Sequence, residues 1–111
     1  MIARMWHGVA PEALADEFQN YIYATGLPGL KSTPGNVGVM IFRRTENSRV
    51  HFLLISFWES LKAISGFAGS DIEMARYYPE DEKYLIELEP TVTHYQLIAA
   101  QEMIGKQLRT R

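Results

Sequence analysis

Three histidines, His7, His51 and His94, are the side chains most able to move a proton near neutral pH. Each falls in a run that reads as a strand. None has a partner at the spacing of a helical zinc pair, and none has an acidic residue at ligand spacing beside it. A hydrogen-bonded histidine of the core or of an interface is the plainer reading, and no metal is expected. The G-x-S-x-G elbow of a nucleophilic serine is absent. "TPGNVG" has glycines but neither G-x-G-x-x-G nor a P-loop lysine, so no phosphate cradle and no bound cofactor are expected. Glu80, Asp81 and Glu82 read as the water-facing start of a helix rather than as paired catalytic carboxylates. The aromatic residues carry more. Trp6, Phe57, Trp58, Phe67, Tyr77 and Tyr78 are expected to converge between a strand face and the helices. Aromatic walls with a few polar groups are the usual lining of a small-molecule pocket, and equally the usual filling of a core. The residues alone leave both open.

The elements that would position these side chains follow from hydrophobic period. Met1 to Val9 reads as a strand. Pro11 suits a first helical position and Glu12 the positive end of a helix. Leu14, Phe18, Tyr21, Ile22 and Thr25 then recur at helical spacing. Gly26, Pro28 and Gly29 are expected to end that helix, with "LKSTPGN" as a loop. "VGVMIFRRT" and "VHFLLISFW" read as two strands joined at "ENS" by a hairpin turn. A second helix is expected from Ser60, with Leu61, Ile64, Phe67 and Ala68 on one face. Ser70 and Glu73 have capping-box spacing, which predicts a short helix from Asp71 to about Tyr77. Pro79 to Glu87 would add a turn or two of helix, and "TVTHYQLIA" a final strand. The order is β-α-β-β-α-β, so the expected class is α+β: a ferredoxin-like fold with a four-stranded antiparallel sheet. One domain over residues 1–98 is expected, followed by a tail at 99–111 with basic Lys106, Arg109 and Arg111.

Counting faces adds a partner. The third strand presents Phe52, Leu54 and Trp58 on one side and His51, Leu53, Ile55 and Phe57 on the other. Both faces ask for burial, yet the chain's own helices cover only one. The expected cover for the other is a second copy, making a homodimer through the sheet face. A formal net charge of −2 gives no footprint for nucleic acid. No apolar stretch reaches membrane-span length, and "MIARMWHGV" lacks a signal-peptide run, so a cytoplasmic protein is expected. With no cysteine, thiolate and disulfide chemistry are excluded.

The segment "FWESLKAISGFAGSDIEMARYYPEDEKYLIELEPTVTHYQL", with "PGNVGVMIFRR" before it, resembles the antibiotic biosynthesis monooxygenase family over Ile2 to about Ile98. The resemblance implies a dimeric α/β barrel, in which two ferredoxin-like subunits close their sheets together. It implies one of three activities: cofactor-free oxygenation of a small phenol or quinol, haem degradation, or none. In the haem-degrading branch an asparagine, a tryptophan and a histidine line the site. Here those positions hold His7, Trp58 and Tyr77, so the axial imidazole is missing. A cofactor-free site must deprotonate a phenol, hold the anion and exclude water. On that pattern His7 is the base, Trp58 a flat wall, and Tyr77 a hydroxyl across from it. Trp6, Phe67 and Tyr78 are the remaining ligand contacts. Arg4 could stabilise an oxyanion, but on a strand it should face away from His7. The expected function is a cofactor-independent monooxygenase of a small aromatic metabolite. The alternatives are a non-catalytic dimeric binding or stress-response module, a purely structural dimer whose own side chains fill the cavity and, behind these, a haem-degrading oxygenase.

Overall fold

A computed structural model describes residues 1–101 of the chain. β1 (Ile2–Pro11) runs into a 3-10 turn (Glu12–Leu14), α1 (Ala15–Ala24) and α2 (Gly26–Ser32). The hairpin of β2 (Asn36–Glu46) and β3 (Arg49–Trp58) follows. Then come α3 (Leu61–Ala68), a one-turn α4 (Asp81–Tyr84) and β4 (Thr93–Gln96). The strands form one antiparallel sheet in the order β2-β3-β1-β4, the ferredoxin-like arrangement expected from the sequence. Lys106, Arg109 and Arg111 lie outside the described residues.

The strand period sorts the sheet into two faces. Arg4, Gly8 and Ala10 of β1, with Val50, Phe52, Leu54, Ser56 and Trp58 of β3, are the buried set and point toward the helices. Phe18, Ile22, Leu30 and Ile64 pack onto them to complete the core. The alternate residues, His7, His51, Leu53, Ile55 and Phe57, face the other way with the exposed Met40 and Phe42. Phe57 therefore departs from the aromatic group expected on the helix side, because it is one residue out of phase with Trp58.

Two local expectations give way to tertiary bonds. The chain does not unwind at Gly26. After a break at Thr25 (φ −124°, ψ −77°) it resumes as α2. Pro28 falls in the first turn, where its missing N–H leaves no helical bond unmade. The helix expected over Asp71–Tyr77 is absent, and Met74 instead bridges Thr91. The carbonyls of Ile72 and Met74 are taken by Arg4, while Glu73 O and Ala75 N bond Val92 and Pro90. A helix would need those groups for itself. The hairpin turn sits at Asn47 (φ 53°) and Ser48 (φ 63°), the two left-handed positions of a type I′ turn. Among the described residues no helix is long and apolar enough to cross a membrane.

Candidate functional site

β1 sets the site. Its second residue on the helix side of the sheet, Arg4, is only 3% exposed, an unusual place for a cation. Its guanidinium donates to Ile72 O and, at 3.0 Å, to Met74 O. It also meets His94 Nε2 at 3.0 Å, from β4 directly opposite in register. Since Arg4 only donates, His94 Nε2 accepts, and the imidazole carries its proton on Nδ1. Burial and the adjacent guanidinium hold the His94 pKa below its ordinary value. Burial also brings Arg4 down to about 10, still protonated at neutral pH. No carboxylate lies at ion-pair distance from Arg4 among the described residues.

The space in front of Arg4 is a cleft between the sheet and the helices. Trp6, Leu54 and Ser56 form its sheet side. Phe18, Ile22 and Leu30 come from α1 and α2, and Phe67 from α3. Arg76, Tyr78 and Asp81 close it from the segment before β4. Its free volume is ≈ 50 Å³, the share of about two waters in the liquid. Two glycines shape it by their bareness. A Cβ on Gly8 would collide with the Trp6 indole, which lies down along the strand, and one on Gly29 would collide with the Tyr78 hydroxyl. Trp6 Nε1 and Tyr78 Oη are buried without a hydrogen-bond partner, and such orphans are rare in a settled core. Arg76 stands over the rings of Phe67 (4.7 Å) and Tyr78 (5.0 Å), a cation on two aromatic faces at the mouth.

Asp81 is the acid of the cleft. It is 7% exposed, correcting the expectation of a water-facing acidic run. Its Oδ2 accepts from the Tyr78 N–H at 2.6 Å, which fixes the carboxylate. Burial outweighs that bond and raises its pKa. A buried carboxyl with a raised pKa in an aromatic cleft is suited to taking up a proton. The sequence held one usable signal: the third residue after Tyr78, following Pro79, is where a side-chain cap of the preceding turn would sit.

The expected site residues divide into three groups. Trp6, Phe67 and Tyr78 line the cleft. Trp58 does not form its wall. It is fully buried, donates from Nε1 to Ser56 Oγ at 2.8 Å, and packs against Phe67 at 6.3 Å between centroids. It supports two lining residues from behind. Tyr77 sits beside Trp6 at 6.1 Å in an edge-on contact, and its hydroxyl donates to Glu89 O at 2.5 Å, so it is not across from Trp58. His7 is on the opposite face of the sheet, as its parity relative to Arg4 requires. There its Nδ1 donates to Glu89 at 2.5 Å and its Nε2 faces His51 Nδ1 at 3.0 Å. One proton bridges His7 Nε2 and His51 Nδ1, and the two rings stack at 5.2 Å between centroids. Both histidines, with Phe42 and Leu53, line a shallow depression of ≈ 290 Å³. No group of three or more potential metal ligands is gathered among the described residues.

No family profile matches the chain. No curated protein matches it either. Solved structures do. The heme-degrader MhuD of Mycobacterium tuberculosis, with two hemes bound in its active site, aligns with TM-score 0.62 at 14% identity, covering 92% of this chain and 100% of that one. HapK of Hahella chejuensis aligns at 0.61 and 15%, covering 95% and 100%. A candidate antibiotic biosynthesis monooxygenase of Bacillus cereus aligns at 0.62 and 14%, covering 93% and 98%. At such identities the likeness establishes a shared fold over nearly the whole chain, and it is the fold that the family resemblance of the sequence implies.

Proposed function

We propose that the chain is an antibiotic biosynthesis monooxygenase-type protein whose helix-side cleft oxygenates a small phenolic aromatic without a bound cofactor. The observation that carries this reading is Arg4, a buried cation with no carboxylate partner among the described residues, facing an aromatic-lined cleft. Dioxygen reacts with an electron-rich anion far faster than with a neutral phenol, so the site must make and hold the anion. Arg4 supplies the charge that stabilises it, and Asp81 the base that receives the proton. The aromatic walls keep water from the reactive intermediate. The balance closes without an outside reductant: a phenol with a ring C–H and one O2 give a quinone and one water, the substrate supplying all four electrons. His7 remains on the open face with Glu89 and His51, where we place a second copy of the chain.

Oxygen consumption with a panel of hydroquinones and dihydroxynaphthalenes tests the proposal. Uptake is expected, and Asp81→Asn should slow it by about 10²–10⁴-fold, with the fold intact by circular dichroism. No uptake with any member sinks catalysis. Ligand-dependent thermal stabilisation without uptake would then identify a non-catalytic binding module.

The likeness to heme-binding MhuD supports a second reading, haem degradation. The residues in the cleft do not fit that group well. No histidine lines it, and burial raises the Tyr78 pKa, which disfavours the tyrosinate that could replace an imidazole. A haemin titration decides it: a Soret shift on mixing establishes the haem site, and none removes it.

A further inference from the structure

We infer that the ligand of this cleft is an aromatic carboxylate, its two oxygens gripped by the free edge of the Arg4 guanidinium. This rests on the reading of the cleft as a small-aromatic site and refines it: the phenolic ring also carries a carboxylate, which the Arg4 fork holds while its charge still faces the phenolate.

The first argument is charge. Two guanidinium groups, Arg4 and Arg76, line the cleft against one carboxyl, Asp81, whose pKa burial raises. Arg4 has only backbone carbonyls and a neutral imidazole around it. A buried ion without a counter-charge costs several kcal/mol, and an anionic ligand relieves that cost.

The second argument is valence. A guanidinium has five N–H groups. Among the described residues three have acceptors: both on Nη1, to Ile72 O and His94 Nε2, and one on Nη2, to Met74 O. The remaining two are on Nε and Nη2, and with Met74 O on the Nη1-side proton of Nη2 they share one edge of the guanidinium. That edge is the fork that matches both oxygens of a carboxylate, where a phenolate would leave one donor empty. Ser56 adds a third donor, because its oxygen already accepts from Trp58 and its own proton is free to point into the cleft.

The third argument is shape. The unpartnered Tyr78 Oη stands in a lining that is otherwise mostly aromatic and aliphatic, as an aryl ring bearing a polar substituent would require. The enclosed free volume, ≈ 50 Å³, is well below the about 150 Å³ that encloses one benzene, so no more than one ring enters, with part of it left at the open mouth beneath Arg76.

Isothermal titration of the full chain with benzoate, its neutral isostere benzamide, and phenol at pH 7 tests the inference. Benzoate is expected to bind at least tenfold more tightly than either. Arg4→Lys, which keeps the charge and loses the fork, should reduce that preference tenfold or more, while Arg76→Gln, which removes the second charge and keeps the fork, should reduce it less. Benzamide or phenol binding as tightly as benzoate overturns the inference and leaves the small-aromatic reading standing. So does a preference for benzoate that survives Arg4→Lys, or that falls as far in Arg76→Gln as in Arg4→Lys. If Arg4→Lys does not fold, the wild-type series with Arg76→Gln still decides. Failure of all three probes, and of the hydroquinone panel, overturns both.

Discussion

Arg4 reaches across the sheet to hold Ile72, Met74 and His94, lines the cleft, and keeps two N–H groups without an acceptor among the described residues. Its contact with His94 makes a pH prediction. The His94 pKa is depressed by burial and by Arg4. Between the folded value and the unfolded value near 6.5, the unfolded chain therefore binds a proton that the folded chain refuses. Stability is unaffected by this group above that window and is lost as pH falls through it. Thermal melts from pH 8 to pH 5 should fall more steeply for the wild type than for His94→Gln, whose amide oxygen can still accept from Arg4. Equal slopes would show that His94 is not held neutral by its neighbour. The alternation of β1 was enough to separate Arg4 from His7 in the sequence. Asp81 was missed, because three consecutive acids look alike unless the capping position three residues after Tyr78 singles one out. The burial of Trp58 was not legible, because a tryptophan ending a strand on the core side has the same pattern whether it lines a cleft or supports it.

At the scale of elements, the corner where β3 enters α3 depends on Trp58. Its indole fills the space behind Phe67 and its N–H fixes Ser56, so its effect on the cleft is indirect. Trp58→Phe keeps most of the ring, loses the hydrogen bond and leaves a small void. It should cost about 1–3 kcal/mol in denaturant unfolding and leave the affinity for benzoate unchanged. A loss of affinity with stability intact would return Trp58 to the wall of the site. β1, β2, β3 and the two main helices were legible because their pattern runs over eight or more residues, whereas the last strand, read over "TVTHYQLIA", pairs only at Thr93–Gln96. The segment from Asp71 to Tyr77 was not legible. The capping box expected of Ser70 and Glu73 does not form: Glu73 N–H donates instead to Asp71 Oδ1 at 3.3 Å. The next step of a helix is blocked because a buried arginine distant in sequence takes the carbonyls. That competition has no local signature, and neither does the continuation of α2 through Gly26 and Pro28.

The whole molecule poses a question of cover. On the side of the sheet away from the helices, Met40, Phe42 and Tyr95 are exposed beside Leu53, Ile55 and Phe57. A contiguous apolar face of this kind on an isolated domain marks an interaction surface. The period-2 count of β3 predicts it from the sequence alone. A two-fold pairing sets each residue of such a face against its own counterparts, so one charged substitution acts twice at the interface. Phe42→Glu lies at the rim of the His7–His51 depression, half exposed at 50%, and should fold as a single chain. Light scattering behind size exclusion should give twice the chain mass for the wild type and the single mass for Phe42→Glu, with circular dichroism unchanged. A wild type that runs as a monomer at tens of micromolar would sink the pairing, and the depression lined by His7 and His51 would then be an open surface rather than an interior one. Benzoate titration of the monomeric variant carries the argument further. The cleft at Arg4 is built from residues of one chain on the other side of the sheet, so its affinity should survive the loss of the dimer.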